Sequence, residues 1–133
     1  GVVETPLLVI LGHTKCGAVQ TTIDKLYGDK AELTPSINAI IAKIKPAVVN
    51  VLNREDDLEG QSVLDASVEQ NIWQGLHDLF MQSKLIRDKY VNGDVKIAGG
   101  VYDLHTGGVR WLDEKNVSDV FADVQFELEN NVK

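Results

Sequence analysis

His13 and Cys16 stand three residues apart in the loop Gly12-His13-Thr14-Lys15-Cys16-Gly17. An imidazole and a thiol in one short loop are donors that suit zinc, which takes nitrogen and sulfur ligands. The loop separates an apolar, strand-like run from a helical pattern, which is the sheet edge where α/β proteins bind ligands. Cys16 falls just before the helix, and the helix's positive end favours the thiolate that zinc requires. Gly17 leaves its N–H open to a small anion beside the metal. By spacing alone the pair reads more often as two residues with structural roles. Cys16 is the single cysteine, which excludes a disulfide within the chain and any site needing two thiolates from one copy.

The elements that must position this loop follow from the pattern of apolar residues. Leu7-Leu8-Val9-Ile10-Leu11 is a continuous apolar run ended by Gly12, the mark of a parallel strand covered on both faces. Residues 18–27 carry Val19, Ile23 and Leu26 at helical spacing, and Gly28 closes that helix. Thr34 suits an N-cap with Pro35 at the first helical position, and Ile37, Ile40, Ile41 and Ile44 form one face. Pro46 is expected to kink or split that helix. Residues 54–60 form an acidic connector, and residues 63–83 carry the longest helical face, through Leu64, Val68, Ile72, Leu76, Leu79 and Phe80.

After Asn92-Gly93, residues 94–104 read as a strand and 109–112 as its antiparallel partner, joined through His105-Thr106-Gly107-Gly108. Residues 113–133 hold six acids against two lysines, yet Val117, Val120, Phe121, Val124 and Leu128 keep a helical spacing, so the segment reads as a docked amphipathic helix. The order predicts a single α/β domain over residues 1–133, with a mainly parallel sheet flanked by helices and ending in an antiparallel hairpin.

Composition narrows the function. With 133 residues, 44% hydrophobic, the chain is sized for one domain, and no apolar stretch approaches the roughly 18 residues of a membrane span. A formal charge of −7 and 6% aromatic residues leave no basic stripe and few stacking platforms, which speaks against a nucleic-acid partner. One cysteine suits a reducing compartment, the cytoplasm or an organelle reached after removal of a leader not present here. His77, in a helix among Leu76, Leu79 and Phe80, and His105, in a hairpin turn, read as packing and surface residues rather than ligands. Tyr102 and Asp103 are expected to orient the hairpin, and Trp73 and Trp111 to be core or interface residues. Gly99-Gly100 lacks the spacing of a dinucleotide or P-loop fingerprint.

Val9-Ile10-Leu11-Gly12-His13-Thr14-Lys15-Cys16-Gly17-Ala18-Val19 resembles the zinc-binding strand and loop of β-class carbonic anhydrases. Gly99-Gly100-Val101-Tyr102-Asp103-Leu104-His105-Thr106-Gly107-Gly108-Val109 resembles that family's terminal hairpin, and the helix with Val68, Asn71, Leu79 and Ser83 is similar as well. The resemblance covers about residues 3–112. It implies a dimer or larger oligomer, zinc held by two cysteines and one histidine, and reversible hydration of carbon dioxide to bicarbonate and a proton. His13 and Cys16 match two of the ligands, and Gly17 would assist the bicarbonate. The zinc would lower the pKa of its water from about 16 towards 7.

The family's other cysteine belongs to an upstream Cys-x-Asp-x-Arg strand that no residue here matches, so the likeness is N-terminally incomplete and this chain alone is expected to be inactive. Three explanations stand open: a truncated enzyme, a chain completed by a separate N-terminal fragment, or a degenerate relative that binds or scaffolds without chemistry. Hydrolysis of carbonyl sulfide or carbon disulfide is a further alternative within the family.

Overall fold

The computed structural model describes residues 6–54, 58 and 61–131. Strand β1, Leu7–His13, runs into helix α1, Gly17–Leu26, and helix α2 follows at Pro35–Leu52. Helices α3, Val63–Gln82, and α4, Lys84–Val91, lead to strands β2, Lys96–Tyr102, and β3, Val109–Trp111, and helix α5 is Lys115–Asn130. The strands form one mixed sheet in the order β1-β2-β3. β1 pairs parallel with β2, with Leu7 opposite Lys96 and His13 opposite Tyr102. β3 pairs antiparallel with β2, as the hairpin reading expects.

Local chemistry accounts for the helix ends. The Thr34 hydroxyl accepts the Ile37 N–H at 3.2 Å with Pro35 behind it, and the Ser62 hydroxyl accepts the Asp65 N–H at 3.0 Å. Gly28, at φ +100°, turns the chain beyond α1. Pro46 neither ends nor splits α2, which continues to Leu52 because Ile44, Ala47, Val48 and Val51 are buried against the rest of the fold. That packing outweighs the lost backbone hydrogen bond. α4 is an element that the sequence reading omits: none of its residues is buried, and Ser83 serves both as the C-cap of α3 and as the N-cap of α4, accepting the Ile86 N–H at 3.1 Å.

The core lies between the sheet and the helices, around Val19, Val48, Leu76, Phe80 and Val124. Phe80, Tyr90 and Phe121 join α3, α4 and α5 with ring centroids 5.0–5.4 Å apart. The acidic C-terminal segment is the docked helix its spacing predicts, with Val117 and Val124 buried. The expectation that β1 is covered on both faces is corrected. Its residues alternate, and Leu7 and Leu11 are 58% and 54% exposed with Val9 beside them. Helix α3 packs on the other face only, where Gly12 and Gly99 meet Ile72. The acidic connector at 54–60 lies largely outside the described residues. No helix among the described residues is long and apolar enough to cross a membrane.

Candidate functional site

The end of β1 carries His13 to the C-terminal edge of the sheet, beside the last residue of β2. Here the strand runs two residues past Leu11, and the loop that follows has only Thr14, Lys15 and Cys16 before α1 begins. Lys15 adopts φ +54°, a left-handed conformation unusual for a residue with a side chain. That reversal brings Cys16 to the N-cap of α1, at φ −68° and ψ 115°, where its side chain makes no capping hydrogen bond. The sulfur is thus free for another partner.

His13 and Cys16 line one cavity of about 360 Å³ bounded by β1, α1 and α3. Its walls include the apolar side chains of Ile10, Val19, Val68 and Ile72, and Asn71 adds an amide. Gly12 lets α3 approach this wall closely, because a Cβ there would lie 3.0 Å from Ile72 and 3.2 Å from Val68, and those side chains would have to yield. Gly17 occupies the first position of α1, and an added Cβ there would meet nothing within 4 Å. Its relevance is therefore its N–H, one of the first-turn donors that a helix cannot satisfy itself.

The His13 ring is oriented. Its Nδ1 lies 2.9 Å from the carbonyl oxygen of Thr14. A carbonyl only accepts, so Nδ1 carries the hydrogen, and in the neutral ring Nε2 keeps the lone pair that a metal would take. Thr14 is itself fixed to the hairpin: its N–H donates to the Tyr102 carbonyl at 2.9 Å, and its hydroxyl accepts the Leu104 N–H at 3.0 Å. Asp103 organises that hairpin turn by accepting the N–H groups of His105 at 2.8 Å and Thr106 at 3.1 Å. These bonds, His105 first, hold its carboxyl below the usual carboxylate range, with further help from the charges of His105 and Lys15.

The remaining sequence candidates lie elsewhere. His77 bonds through Nε2 to Glu127 at 2.9 Å and through Nδ1 to Asp78 at 3.3 Å, tying α3 to α5. Partial burial pulls its pKa down, but the bonds to Glu127 and Asp78 and their charges together outweigh this and leave it raised above 6.5. His105 stands in the exposed hairpin turn. Trp73 is core, 8% exposed, while Trp111 is 58% exposed on the open face of the sheet. Among the described residues no group of three or more His, Cys, Asp and Glu side chains could hold a metal ion. Thr14 and Lys15 are the residues that sequence reasoning passed over, and a positive φ at a lysine has no compositional signal.

His13 and Cys16 thus line one cavity at the carboxyl edge of the sheet, on a strand-loop-helix cradle of an α/β protein. The chain belongs to the β-class carbonic anhydrase family, whose model, described as carbonic anhydrase, matches residues 1–109. A carbonic anhydrase of Mycolicibacterium smegmatis is 31% identical over 109 residues, covering 81% of this chain and 50% of the relative. The chain thus spans about half the length of the curated relatives it matches. Among solved structures, the β-carbonic anhydrase CafA of Aspergillus fumigatus superposes with a TM-score of 0.65 at 21% identity, over 91% of this chain and 55% of that one. Tetrameric β-carbonic anhydrases of Sordaria macrospora give 0.58 at 16% identity, over 80% of this chain and 51% of theirs. At these identities the structural likeness carries the fold.

Proposed function

We propose that His13 and Cys16 are two of the protein ligands of a zinc ion, and that with a third ligand the site catalyses the reversible hydration of carbon dioxide to bicarbonate and a proton. The observation that carries this reading is the convergence of His13 and Cys16 on one cavity, with the His13 Nδ1–H committed to Thr14 and Nε2 left to coordinate. The donors fit zinc in kind, one imidazole nitrogen and one sulfur. They fall short in number, since a catalytic zinc takes three protein ligands and the described residues supply no third. Zinc held here would supply a Lewis acid that activates water at neutral pH.

The chain's own residues account for the surroundings. The apolar side chains of Val68 and Ile72 suit an uncharged linear molecule such as carbon dioxide, and the Gly17 N–H, at the positive end of α1, suits the bicarbonate that forms. The free thiol that the site needs suits a reducing compartment such as the cytoplasm. The open apolar face of Leu7, Val9 and Leu11 supports assembly into a homodimer or larger oligomer. The shortfall of ligands favours a second reading, a binding or scaffolding relative that does no chemistry.

One experiment separates the two readings. Supplying an upstream Cys-x-Asp-x-Arg segment, fused or in trans, should bring stoichiometric zinc and rapid hydration, and Cys16→Ser should abolish both. The unaltered chain should bind zinc weakly and hydrate carbon dioxide no faster than a metal-free control. Absence of metal and turnover after the segment is supplied would favour the non-catalytic reading. Running carbonyl sulfide and carbon disulfide beside carbon dioxide distinguishes the hydrolase alternative.

A further inference from the structure

We infer that Thr14 is the positioning residue of this site, holding the His13 ring in the tautomer that leaves Nε2 free, through a hydroxyl that fastens the loop to the hairpin. The inference rests on the metal-site reading above for its consequence, though not for its geometry. Three bonds meet at Thr14: its carbonyl accepts the His13 Nδ1–H at 2.9 Å, its N–H donates to the Tyr102 carbonyl at 2.9 Å, and its Oγ1 accepts the Leu104 N–H at 3.0 Å. The first bond selects a tautomer only if the carbonyl keeps its direction. The other two fix that direction by tying the residue to the hairpin twice, once from the backbone and once from the side chain.

The next residue shows why such fixing is needed. Lys15 sits at φ +54°, where a residue with a Cβ is disfavoured and persists only when its neighbours over-determine it. On its C-terminal side the first turn of α1 supplies the restraint, with the Gln20 N–H bonded to the Cys16 carbonyl at 3.0 Å. On its N-terminal side the restraint is Thr14. Releasing the Thr14 hydroxyl frees the loop to relax towards ordinary φ values, which turns the carbonyl away from His13 and lets the ring exchange its hydrogen between the two nitrogens.

The test uses Thr14→Val, which keeps the shape and deletes the acceptor, and Thr14→Ser, which restores it. Nitrogen-15 spectra of the histidine rings at about pH 8, above the ordinary histidine range, read the tautomer without any metal, and His13→Gln assigns the signal. The native chain should show the Nδ1–H form, Thr14→Val should raise the Nε2–H form severalfold, and Thr14→Ser should match the native chain. A Thr14→Val chain that keeps the native tautomer overturns the inference. If Thr14→Val fails to fold, the native chain still decides: its Leu104 amide should exchange at least roughly tenfold slower than an unprotected amide, and an unprotected Leu104 or an Nε2–H tautomer overturns the inference.

Zinc competition against a chromogenic chelator separates this inference from the reading it extends. Thr14→Val should weaken zinc by roughly tenfold, the low end for partners that orient ligands, with Thr14→Ser close to native. A Thr14→Val variant that binds zinc as tightly as the native chain refutes the positioning role and leaves the metal reading intact. A chain with the expected tautomers that still has no affinity for zinc when the upstream Cys-x-Asp-x-Arg segment is supplied supports the positioning role and refutes the metal reading.

Discussion

Adding one methyl group at Gly99 should destabilise the fold far more than adding it at Gly100. A Cβ on Gly99 would stand 2.6 Å from Cη2 of Trp73, 3.0 Å from its Cζ3 and 3.1 Å from Cγ2 of Ile72. Carbon atoms at ease stand about 3.5–4.0 Å apart, so the indole must retreat by about 1 Å. Trp73 is 8% exposed and Ile72 is 3% exposed, so both are hemmed in by the core. Overpacking of this kind costs about 1–3 kcal/mol, and the stiffer unfolded backbone of alanine returns about 0.5–1 kcal/mol, leaving a net loss of about 1–2 kcal/mol. Unfolding entropy of roughly 2.1 cal/mol/K per residue converts this, for 133 residues, to a melting temperature lower by about 4–7 °C. A Cβ on Gly100 meets Val109 at 2.9 Å and Trp111 at 3.1 Å, but Trp111 is 58% exposed and can swing outward. Calorimetry of Gly99→Ala and Gly100→Ala compares them directly, and Gly100→Ala should melt within about 2 °C of the native chain. If Gly99→Ala melts with the native protein, or Gly100→Ala is the worse of the two, the steric reasoning is refuted.

The His77 ion pairs should make stability depend on pH in a definite direction. Because the folded pKa is raised above 6.5, the folded state holds the proton more tightly than the unfolded chain, so the contribution is complete below about pH 6.5 and is lost as pH rises through the folded value. Urea midpoints of the native chain and His77→Gln should therefore differ most at about pH 5.5 and converge towards about pH 8.5, and a gap that widens with pH contradicts the assignment. Pro46→Ala should raise stability by about 1–2 kcal/mol by restoring a backbone donor inside α2, as read from the same midpoints, and a loss would show that the proline fits without cost. Sedimentation at micromolar concentration should show a dimer or larger species that Leu7→Lys with Val9→Lys shifts towards monomer, whereas a well-folded native monomer would argue against assembly through this face.

The parts of the fold written in local patterns were legible, and those written in long-range contacts were not. β1, α1, α3, the hairpin and α5 each carry an apolar period or a turn residue that names them, and Thr34 and Ser62 cap as their residue types require. The exposed face of β1 was hidden because Leu7, Val9 and Leu11 are as apolar as the half-buried Leu8 and Ile10 beside them, and composition does not say which face is covered. α4 was hidden because it is short, has no fully buried residue and shares its cap with α3. That His13 and Cys16 line one cavity could be read from their place between a strand and a helix. The part played by Thr14 could not, since the N–H that its hydroxyl accepts comes from a residue 90 positions later.

The central claim is that His13 and Cys16 share one zinc ion, and X-ray absorption at the zinc edge of the zinc-loaded protein tests it most directly. The account predicts a shell containing sulfur at about 2.3 Å and imidazole nitrogen at about 2.0–2.1 Å, with the Cys16 share of the sulfur signal lost in Cys16→Ser and the imidazole signal reduced in His13→Gln. A zinc shell left unchanged by both substitutions would place the metal elsewhere and contradict the claim.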